Sequence, residues 1–230
     1  MPPILSIQNL YKEFFSRGNR VLAVEDLNFD IEEGEFVTIV GPSGCGKSTL
    51  LNSIIGLVQP TSGVISYRDR QLRGINTEIG YVPQSDYLYA WRTLLNNVAF
   101  PLEVRGMGQE ARHAKARDYI QRVGLAGFED HYPHELSGGM RQRANIIRTL
   151  IYDPDVILMD EPFGPLDAQT RIILQDQLLQ LWEEARKTVI FITDEEGEGK
   201  GRGDRDGVKK RRRGKRRRDK RVEKKGQGEG

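Results

Sequence analysis

Apolar positions along the chain form short continuous runs that alternate with helix-like patterns. The runs Phe36–Val40, Val156–Met159 and Thr188–Thr193 predict buried strands of a parallel sheet, because such strands are covered on both faces. Further β-rich stretches are Ile4–Leu10, Leu22–Ile31 and Val64–Tyr67. Helices are predicted at Leu50–Leu57, Ala111–Val123, Met140–Ile151 and Ala168–Lys187. Strands that alternate with helices predict an α/β fold with a largely parallel sheet.

The alternation of apolar and polar positions stops after Thr193. Residues 194–230 contain two apolar side chains, Val208 and Val222, together with nine glycines and long runs of lysine and arginine. Such a segment cannot bury enough apolar surface to offset chain entropy, so it is predicted to be disordered. We therefore expect a folded domain at 1–193, followed by a tail.

Net charge separates the same two parts. The whole chain of 230 residues carries +2, but residues 1–193 carry −5 and residues 194–230 carry +7. The near-neutral net charge is the sum of an acidic body and a basic tail. The folded part is acidic, so its charge does not point to a nucleic-acid partner.

Composition excludes several classes of protein. No apolar run is long enough to cross a bilayer, and the first residues lack the basic start and apolar stretch of a secretory signal. Cys45 is the one cysteine, so no intrachain disulfide can form, and a cytoplasmic compartment is expected.

A glycine-rich motif follows the apolar run that ends at Val40. The segment Gly41–Ser48 reads GPSGCGKS and fits the phosphate-binding pattern GxxxxGK[ST]. Its glycines let backbone N–H groups surround phosphate oxygens, Lys47 adds a cation, and the Ser48 hydroxyl is a ligand for Mg²⁺. We expect the whole loop to contact nucleotide, namely Gly41, Pro42, Ser43, Gly44, Cys45, Gly46, Lys47, Ser48 and Thr49.

A second acidic site is predicted where the run Val156–Met159 ends in two carboxylates. Asp160 can hold Mg²⁺, and Glu161 can polarise an attacking water as general base. An acidic pair after an apolar run is weak evidence alone, but it becomes strong beside a phosphate-binding loop.

A third motif, LSGGMRQ at Leu136–Gln142, resembles the signature of the ATP-binding cassette (ABC) ATPases. Ser137, Gly138 and Gly139 open a helix, whose N-terminus forms a second anion site. The resemblance covers residues 1–193 and implies that this site contacts the γ-phosphate held by a second copy, as a homodimer.

Other positions resemble further family motifs. Gln84 looks like the Q-loop glutamine, which senses Mg²⁺ and the attacking water, and Asp167 looks like the D-loop aspartate of the dimer interface. Phe14 stands where the family places an aromatic that stacks on adenine, although Phe15 and Tyr11 are rivals and any of the three could be core.

The family resemblance also implies a fold, which is a P-loop NTPase of the ABC ATPase type. It has a mostly parallel core sheet, an antiparallel β subdomain, a helical subdomain at about 85–150 and, here, a disordered tail. The surface near the Q-loop would receive a short helix of a membrane permease.

Several longer sequence segments resemble those of the importers of nitrate, sulfonate, taurine and related small anions. Importers of bicarbonate and of pyrimidine precursors share much of the same sequence. The segments that carry this likeness are 90–93, 97–103, 132–143 and 163–171. The implied protein binds ATP and Mg²⁺ at the cytoplasmic face of the inner membrane. It energises separate permease subunits, to which an extracytoplasmic binding protein delivers the cargo. No nucleic acid is expected as a partner.

The sequence departs from the family after Thr193. The family places a switch histidine there, but this chain continues Asp194-Glu195-Glu196, and the strands and helices that normally follow are missing. A carboxylate near the γ-phosphate adds repulsion where negative charge must be stabilised, so weak or absent hydrolysis is expected.

Three interpretations of the tail remain open: a frameshifted or aberrant terminus, a basic arm that binds anionic lipid or RNA, and a plain solvated tail. Of its 37 residues, 30 are Gly, Lys, Arg or Glu, all of which purine-only codons can encode, and this favours the frameshift. Two functions compete with the importer subunit: a catalytically dead nucleotide-binding module, and a soluble ABC ATPase of translation or DNA repair.

Overall fold

A computed structural model describes residues 2–16, 18–164, 171, 187–193 and 208–211. Its strands are β1 (Leu5–Ser16), β2 (Asn19–Ile31), β3 (Phe36–Val40), β4 (Ser62–Tyr67), β5 (Arg70–Gln71), β6 (Ile79–Val82), β7 (Val156–Asp160), β8 (Thr188–Thr193) and β9 (Val208–Arg211). Its helices are α1 (Lys47–Ile54), α2 (Leu94–Val104), α3 (Gln109–Arg122) and α4 (Gly138–Leu150), with a 3₁₀ turn at Pro133–Glu135.

The larger sheet has the strand order β6-β7-β8-β3-β9. Its first four strands are parallel, with Val156 opposite Thr188 and Phe36 opposite Val189. All five residues of β7 are buried, as the continuous apolar run predicts for a strand covered on both faces. The predicted α/β class with a mostly parallel core sheet is confirmed.

The smaller sheet is antiparallel throughout and has the order β2-β1-β4-β5. Its central strand β1 is longer than the predicted Ile4–Leu10, because it continues to Ser16 along β2 through three register shifts. Leu5, Ile7 and Leu10 of β1 are buried against α1 and the inner face of the larger sheet in one apolar cluster. This packing holds α1 between the two sheets.

The helices α2, α3 and α4 surround an apolar cluster of their own, which confirms the predicted helical subdomain. Leu94, Val98, Ile120 and Ile147 are among its fully buried members. The observed α3 and α4 differ from the predicted bounds by one or two residues at each end and α1 by three, because the cap decides where the first turn begins. Ser137, for example, caps α4, so this helix begins at Gly138 rather than at Met140.

The sequence analysis missed β6, which lies beside β7 and under α4. Its four residues include Gly80, which breaks the apolar run. A Cβ at Gly80 would lie 2.8 Å from Pro154 Cγ and 2.9 Å from Thr149 Cγ2, so glycine permits the close packing of this strand. The strand leads directly to Gln84, and it therefore positions part of the candidate site.

Four residues of the tail predicted after Thr193 are described in the structure. Val208–Arg211 form β9, which runs antiparallel to β3 with Phe36 opposite Arg211 and Ile39 opposite Val208. The physical reason is that β3 would otherwise be an edge strand with unpaired backbone N–H and C=O groups. The rest of 194–230, and the predicted helix Ala168–Lys187 apart from Arg171 and Lys187, lie outside the described residues.

None of the helices in the described part of the chain combines the length and the apolar character that crossing a membrane requires.

Candidate functional site

The phosphate-binding motif forms the turn between β3 and α1. Gly46 caps α1 with a φ of 99°, and a Cβ there would lie 2.0 Å from the carbonyl oxygen of Ala23. Only glycine fits both the backbone angle and this approach. The loop itself is open to solvent at Pro42, Ser43 and Gly44. It therefore presents backbone and the N-terminus of α1 to an incoming anion.

Lys47 is folded back over this loop. Its Nζ donates hydrogen bonds to the carbonyl oxygens of Gly41 at 2.8 Å and Pro42 at 3.0 Å. The side chain is buried, and Nζ lies 3.9 Å from Oε1 of Glu161. The ammonium group is thus held between the loop and the carboxylate that follows β7.

Asp160, at the carboxyl end of β7, is buried and accepts two hydrogen bonds. Ser48 Oγ donates to Oδ1 at 3.1 Å, and the Tyr81 hydroxyl donates to Oδ2 at 3.3 Å. Burial of the phenol and the neighbouring Asp160 carboxylate raise the pKa of Tyr81, so this hydroxyl stays a donor. Tyr81 and Ser48 together fix the orientation of the carboxylate.

Glu161 lies beside this group and meets Gln84. The Gln84 side-chain amide donates a 2.9 Å hydrogen bond to Oε2 of Glu161, while the backbone N–H of Glu161 donates to the carbonyl oxygen of Ile192 at 3.1 Å. Glu161 has a φ of 45°, a left-handed angle that is uncommon for residues other than glycine. This backbone turn aims the side chain toward Lys47 and Gln84 rather than along the strand.

The signature motif stands at the start of α4. Ser137 Oγ accepts a hydrogen bond from the backbone N–H of Met140 at 3.3 Å, which satisfies one of the free donors of the first turn. Gly138 and Gly139 form the first turn and carry no side chain above it. The motif thus offers an exposed helix N-terminus on the helical subdomain.

The aromatic candidates lie on β1. Phe14 and Phe15 are both exposed, at 38% and 78%, so neither belongs to the core, and Tyr11 is half-buried. Lys12 Nζ lies 4.8 Å from the centre of the Phe14 ring. Phe14 is thus partly exposed, with the Lys12 ammonium group over its ring.

The predicted residues Lys47, Ser48, Gln84, Asp160 and Glu161 are brought together by direct contacts. Asp167 lies outside the described residues, whereas Ser137, Gly138 and Gly139 lie at the start of α4 in the helical subdomain.

Sequence reasoning missed Tyr81, Asp86 and Arg141. Tyr81 donates to Asp160, and Arg141 Nε lies 2.7 Å from Oδ2 of Asp86, two residues beyond Gln84. Tyr81 stands in a short apolar stretch just before Pro83-Gln84, a signal that could have placed it on a strand leading into the site. No signal in the sequence pairs Asp86 with Arg141.

Strand, phosphate loop, helix and a buried strand-end aspartate together define a P-loop nucleotide-binding protein. The family profile described as ABC transporter matches residues 24–164. The chain therefore belongs to the ABC transporter family, as an ATP-binding protein of the ABC ATPase class.

Curated relatives agree with this assignment. An uncharacterized ABC transporter ATP-binding protein of Methanocaldococcus jannaschii is 50% identical over 189 residues, which are 82% of this chain and 71% of the relative. The taurine import ATP-binding protein TauB of Yersinia pestis is 43% identical over 190 residues, 83% of this chain and 73% of that protein.

Solved structures confirm the predicted ABC ATPase fold. The chain is similar to a dimeric ATP-binding cassette in a post-hydrolysis state bound to ADP and Pi, with a TM-score of 0.76 and 34% identity. The match covers 83% of this chain and 88% of that one.

Proposed function

We propose that the chain is the ATP-binding and ATP-hydrolysing subunit of an importer for small anions such as nitrate, sulfonate or taurine, and that it energises a separate permease. The observation that carries the ATPase part is the contact of Glu161 with both Lys47 and Gln84, beside the Ser48–Asp160 pair. The likeness to a taurine import protein supports the cargo class.

ATP would bind with its phosphates on the loop Gly41–Thr49 and its adenine against Phe14. The hydroxyl of Ser48, the carboxylate of Asp160 and the side-chain oxygen of Gln84 are hard oxygen donors, so they fit Mg²⁺. When bound, Mg²⁺ would neutralise phosphate charge. Lys47 would turn from the carbonyl oxygens of Gly41 and Pro42 toward the β- and γ-phosphates.

Hydrolysis of the β–γ bond would begin with a water between Glu161 and the γ-phosphate. Glu161 accepts a proton from this water as general base, while Gln84 holds the carboxylate through the 2.9 Å hydrogen bond and helps to orient the water. The backbone angle of Glu161 keeps its side chain on the side of Lys47, where the phosphate would lie.

The second half of the site would come from another copy of this chain. Ser137 and Gly138 are exposed and Gly139 is half-buried at the N-terminus of a 13-residue helix, where backbone N–H groups and the helix dipole favour an anion. A head-to-tail homodimer would place this terminus, and Asp167, against ATP held by the partner. The solved dimeric cassette supports this arrangement.

The permease would dock on the helical subdomain near Gln84. Tyr87 and Trp91 are 67% and 74% exposed there, and large apolar side chains exposed together are typical of interaction surfaces. The subunit would then lie peripherally on the cytoplasmic face of the membrane, and an extracytoplasmic binding protein would deliver cargo to the permease. The folded domain would extend from residue 1 to about 193, with β9 (Val208–Arg211) paired at the edge of its core sheet.

Co-expression with a permease encoded by a neighbouring gene tests the transport role. We expect the two to co-purify from detergent, and Trp91→Ala to weaken this association, whereas Leu57→Ala, at an exposed apolar residue after α1 and outside the helical subdomain, leaves it intact. If the chain purifies without the permease and hydrolyses ATP at the same rate whether or not the permease is co-expressed, a soluble ABC ATPase is the better description.

One observation favours a second candidate, a nucleotide-binding module that does not turn over. Thr193 is followed by Asp194 where the family carries its switch histidine. Such a chain would bind ATP without releasing phosphate, and single-turnover measurement of phosphate release separates the two candidates.

A further inference from the structure

The segment that carries Gln84 is attached to α4 by a row of side-chain contacts. After β6 ends at Val82, no regular structure supports this segment until α2 begins at Leu94. The backbone from the end of β6 onward instead accepts hydrogen bonds from α4: Thr149 Oγ1 donates to Tyr81 O, still within β6, at 3.1 Å, Asn145 Nδ2 to Ser85 O at 3.5 Å and Arg148 Nη1 to Tyr87 O at 2.9 Å.

An ion pair completes this row. Arg141 Nε lies 2.7 Å from Oδ2 of Asp86, and Nη1 of the same guanidinium donates to the carbonyl oxygen of Leu136 at 2.7 Å. Leu136 immediately precedes Ser137, which caps α4. One arginine therefore contacts both Leu136, the first residue of the signature, and the segment that carries Gln84.

The four donors lie along one face of α4. Positions 141, 145, 148 and 149 follow the spacing i, i+4, i+7 and i+8, which places side chains in one stripe of a helix. Arg148 is half-buried, and this burial lowers the pKa of its guanidinium, which lies 5.8 Å from the centre of the Tyr89 ring. These side chains form one continuous contact between α4 and the segment that carries Gln84.

We infer that the Arg141–Asp86 ion pair is a positioning contact that ties the signature end of α4 to Gln84, and so sets the Gln84 amide against the Glu161 carboxylate. The path runs from Ser137 through Leu136 and Arg141 to Asp86, and then over two residues to Gln84. This inference rests on the proposed function, in which Gln84 and Glu161 act on the attacking water.

The ion pair can hold position without contributing much to fold stability. Both side chains are about a third exposed, at 34% and 35%, and exposed pairs stabilise proteins only slightly. Arg141→Ala is therefore expected to fold normally and to loosen the segment at 83–90 together with its contact to Leu136. Asp86→Asn, which keeps the shape and removes the charge, is the conservative second variant.

Hydrogen–deuterium exchange of the full chain tests the inference without depending on hydrolysis. In Arg141→Ala and Asp86→Asn, we expect amides of the peptide 83–90 to exchange about fivefold faster, with the same thermal midpoint as the parent. The charge-reversed double variant, Asp86→Arg with Arg141→Asp, is expected to restore slow exchange. Arg122→Ala, which breaks the exposed Arg122–Asp118 pair of α3, is the matched control and leaves the peptide unchanged.

ATP turnover gives the second readout. The single variants are expected to lower kcat about tenfold with an unchanged KM for ATP, because the phosphate loop is untouched and only the arrangement around the water is lost. Unchanged exchange in both single variants, or no recovery in the double variant, overturns the inference. A parent chain that hydrolyses no ATP refutes the hydrolytic role instead, while the exchange comparison still decides whether the ion pair positions this segment.

Discussion

The hydroxyl of Ser48 donates a 3.1 Å hydrogen bond to Oδ1 of Asp160, and so joins the first turn of α1 to the end of β7 across 112 residues. Asp160 is 4% exposed, and its other oxygen accepts from Tyr81. A buried carboxylate held by two hydroxyl donors beside an open phosphate loop has an oriented oxygen for a hard cation.

Replacing this carboxylate should separate metal-dependent from metal-independent nucleotide binding. In Asp160→Asn, we expect the affinity for ATP with Mg²⁺ to fall about tenfold or more, and the affinity in EDTA to stay unchanged, because only the cation loses a charged ligand. Titration with a fluorescent ATP analogue measures both. Asp155→Asn, which alters an aspartate paired with Arg68 at the surface, is the control and keeps the Mg²⁺ dependence.

Local motifs of this site were predictable because each is read within a few residues. The loop Gly41–Ser48 and the buried run that ends in Asp160 specify their own backbone, through glycine conformations and through burial on both faces. The fold class followed from the same runs. The local sequence was enough to predict these elements because their backbone conformation depends little on distant residues.

Contacts between distant residues were not predictable in this way. Gln84 meets Glu161 across 77 residues and Arg141 meets Asp86 across 55, and nothing in their local sequence specifies either partner. β6 was missed because four residues with a central glycine carry too little pattern, and β9 because its pairing depends on the open edge of β3.

Removing the charge of Glu161 should stop hydrolysis without loss of binding. In Glu161→Gln, the amide oxygen can still accept from Gln84, but it cannot take a proton from water, so single-turnover phosphate release should slow by about 100-fold or more. Nucleotide affinity should be unchanged. Glu129→Gln alters a surface carboxylate bonded to Gly127 and should hydrolyse at the parent rate; equal rates in both variants would exclude Glu161 as the base.

A methyl group at Gly46 should disrupt the phosphate loop. The added Cβ would lie 2.0 Å from Ala23 O and would force an alanine to a φ of 99°, so we expect Gly46→Ala to lose about 1–3 kcal/mol of stability and to bind ATP poorly. Gly108→Ala is the comparison, since its Cβ meets nothing within 4 Å and its φ is −57°. It should cost about 1 kcal/mol or less and leave binding unchanged. Urea unfolding and nucleotide titration decide the matter.

Asp194, the residue after Thr193, should limit the rate of ATP hydrolysis. Asp194→His would replace a carboxylate by an imidazole that can donate to the γ-phosphate, and we expect phosphate release to rise by about tenfold or more. Asp194→Asn removes the charge alone and should give a smaller rise, which separates repulsion from hydrogen bonding. A rate in Asp194→His no higher than that of the parent would show that this position does not control hydrolysis.

Two truncations should define how much of the tail belongs to the domain. Ending the chain after Thr193 removes β9 and leaves the backbone groups of β3 unpaired at the sheet edge, so the thermal midpoint should fall by about 4–8 °C. Ending it after Arg211 keeps β9 and removes most of the basic run, so the midpoint should stay with the full chain. Scanning calorimetry of the three proteins in one buffer makes the comparison.

Equal midpoints for both truncations would mean that the pairing of Val208–Arg211 with β3 adds nothing to stability, and the folded domain would then end at residue 193. A drop only in the shorter protein would instead extend the domain to Arg211, because the strand that stabilises the sheet would then be supplied by the tail.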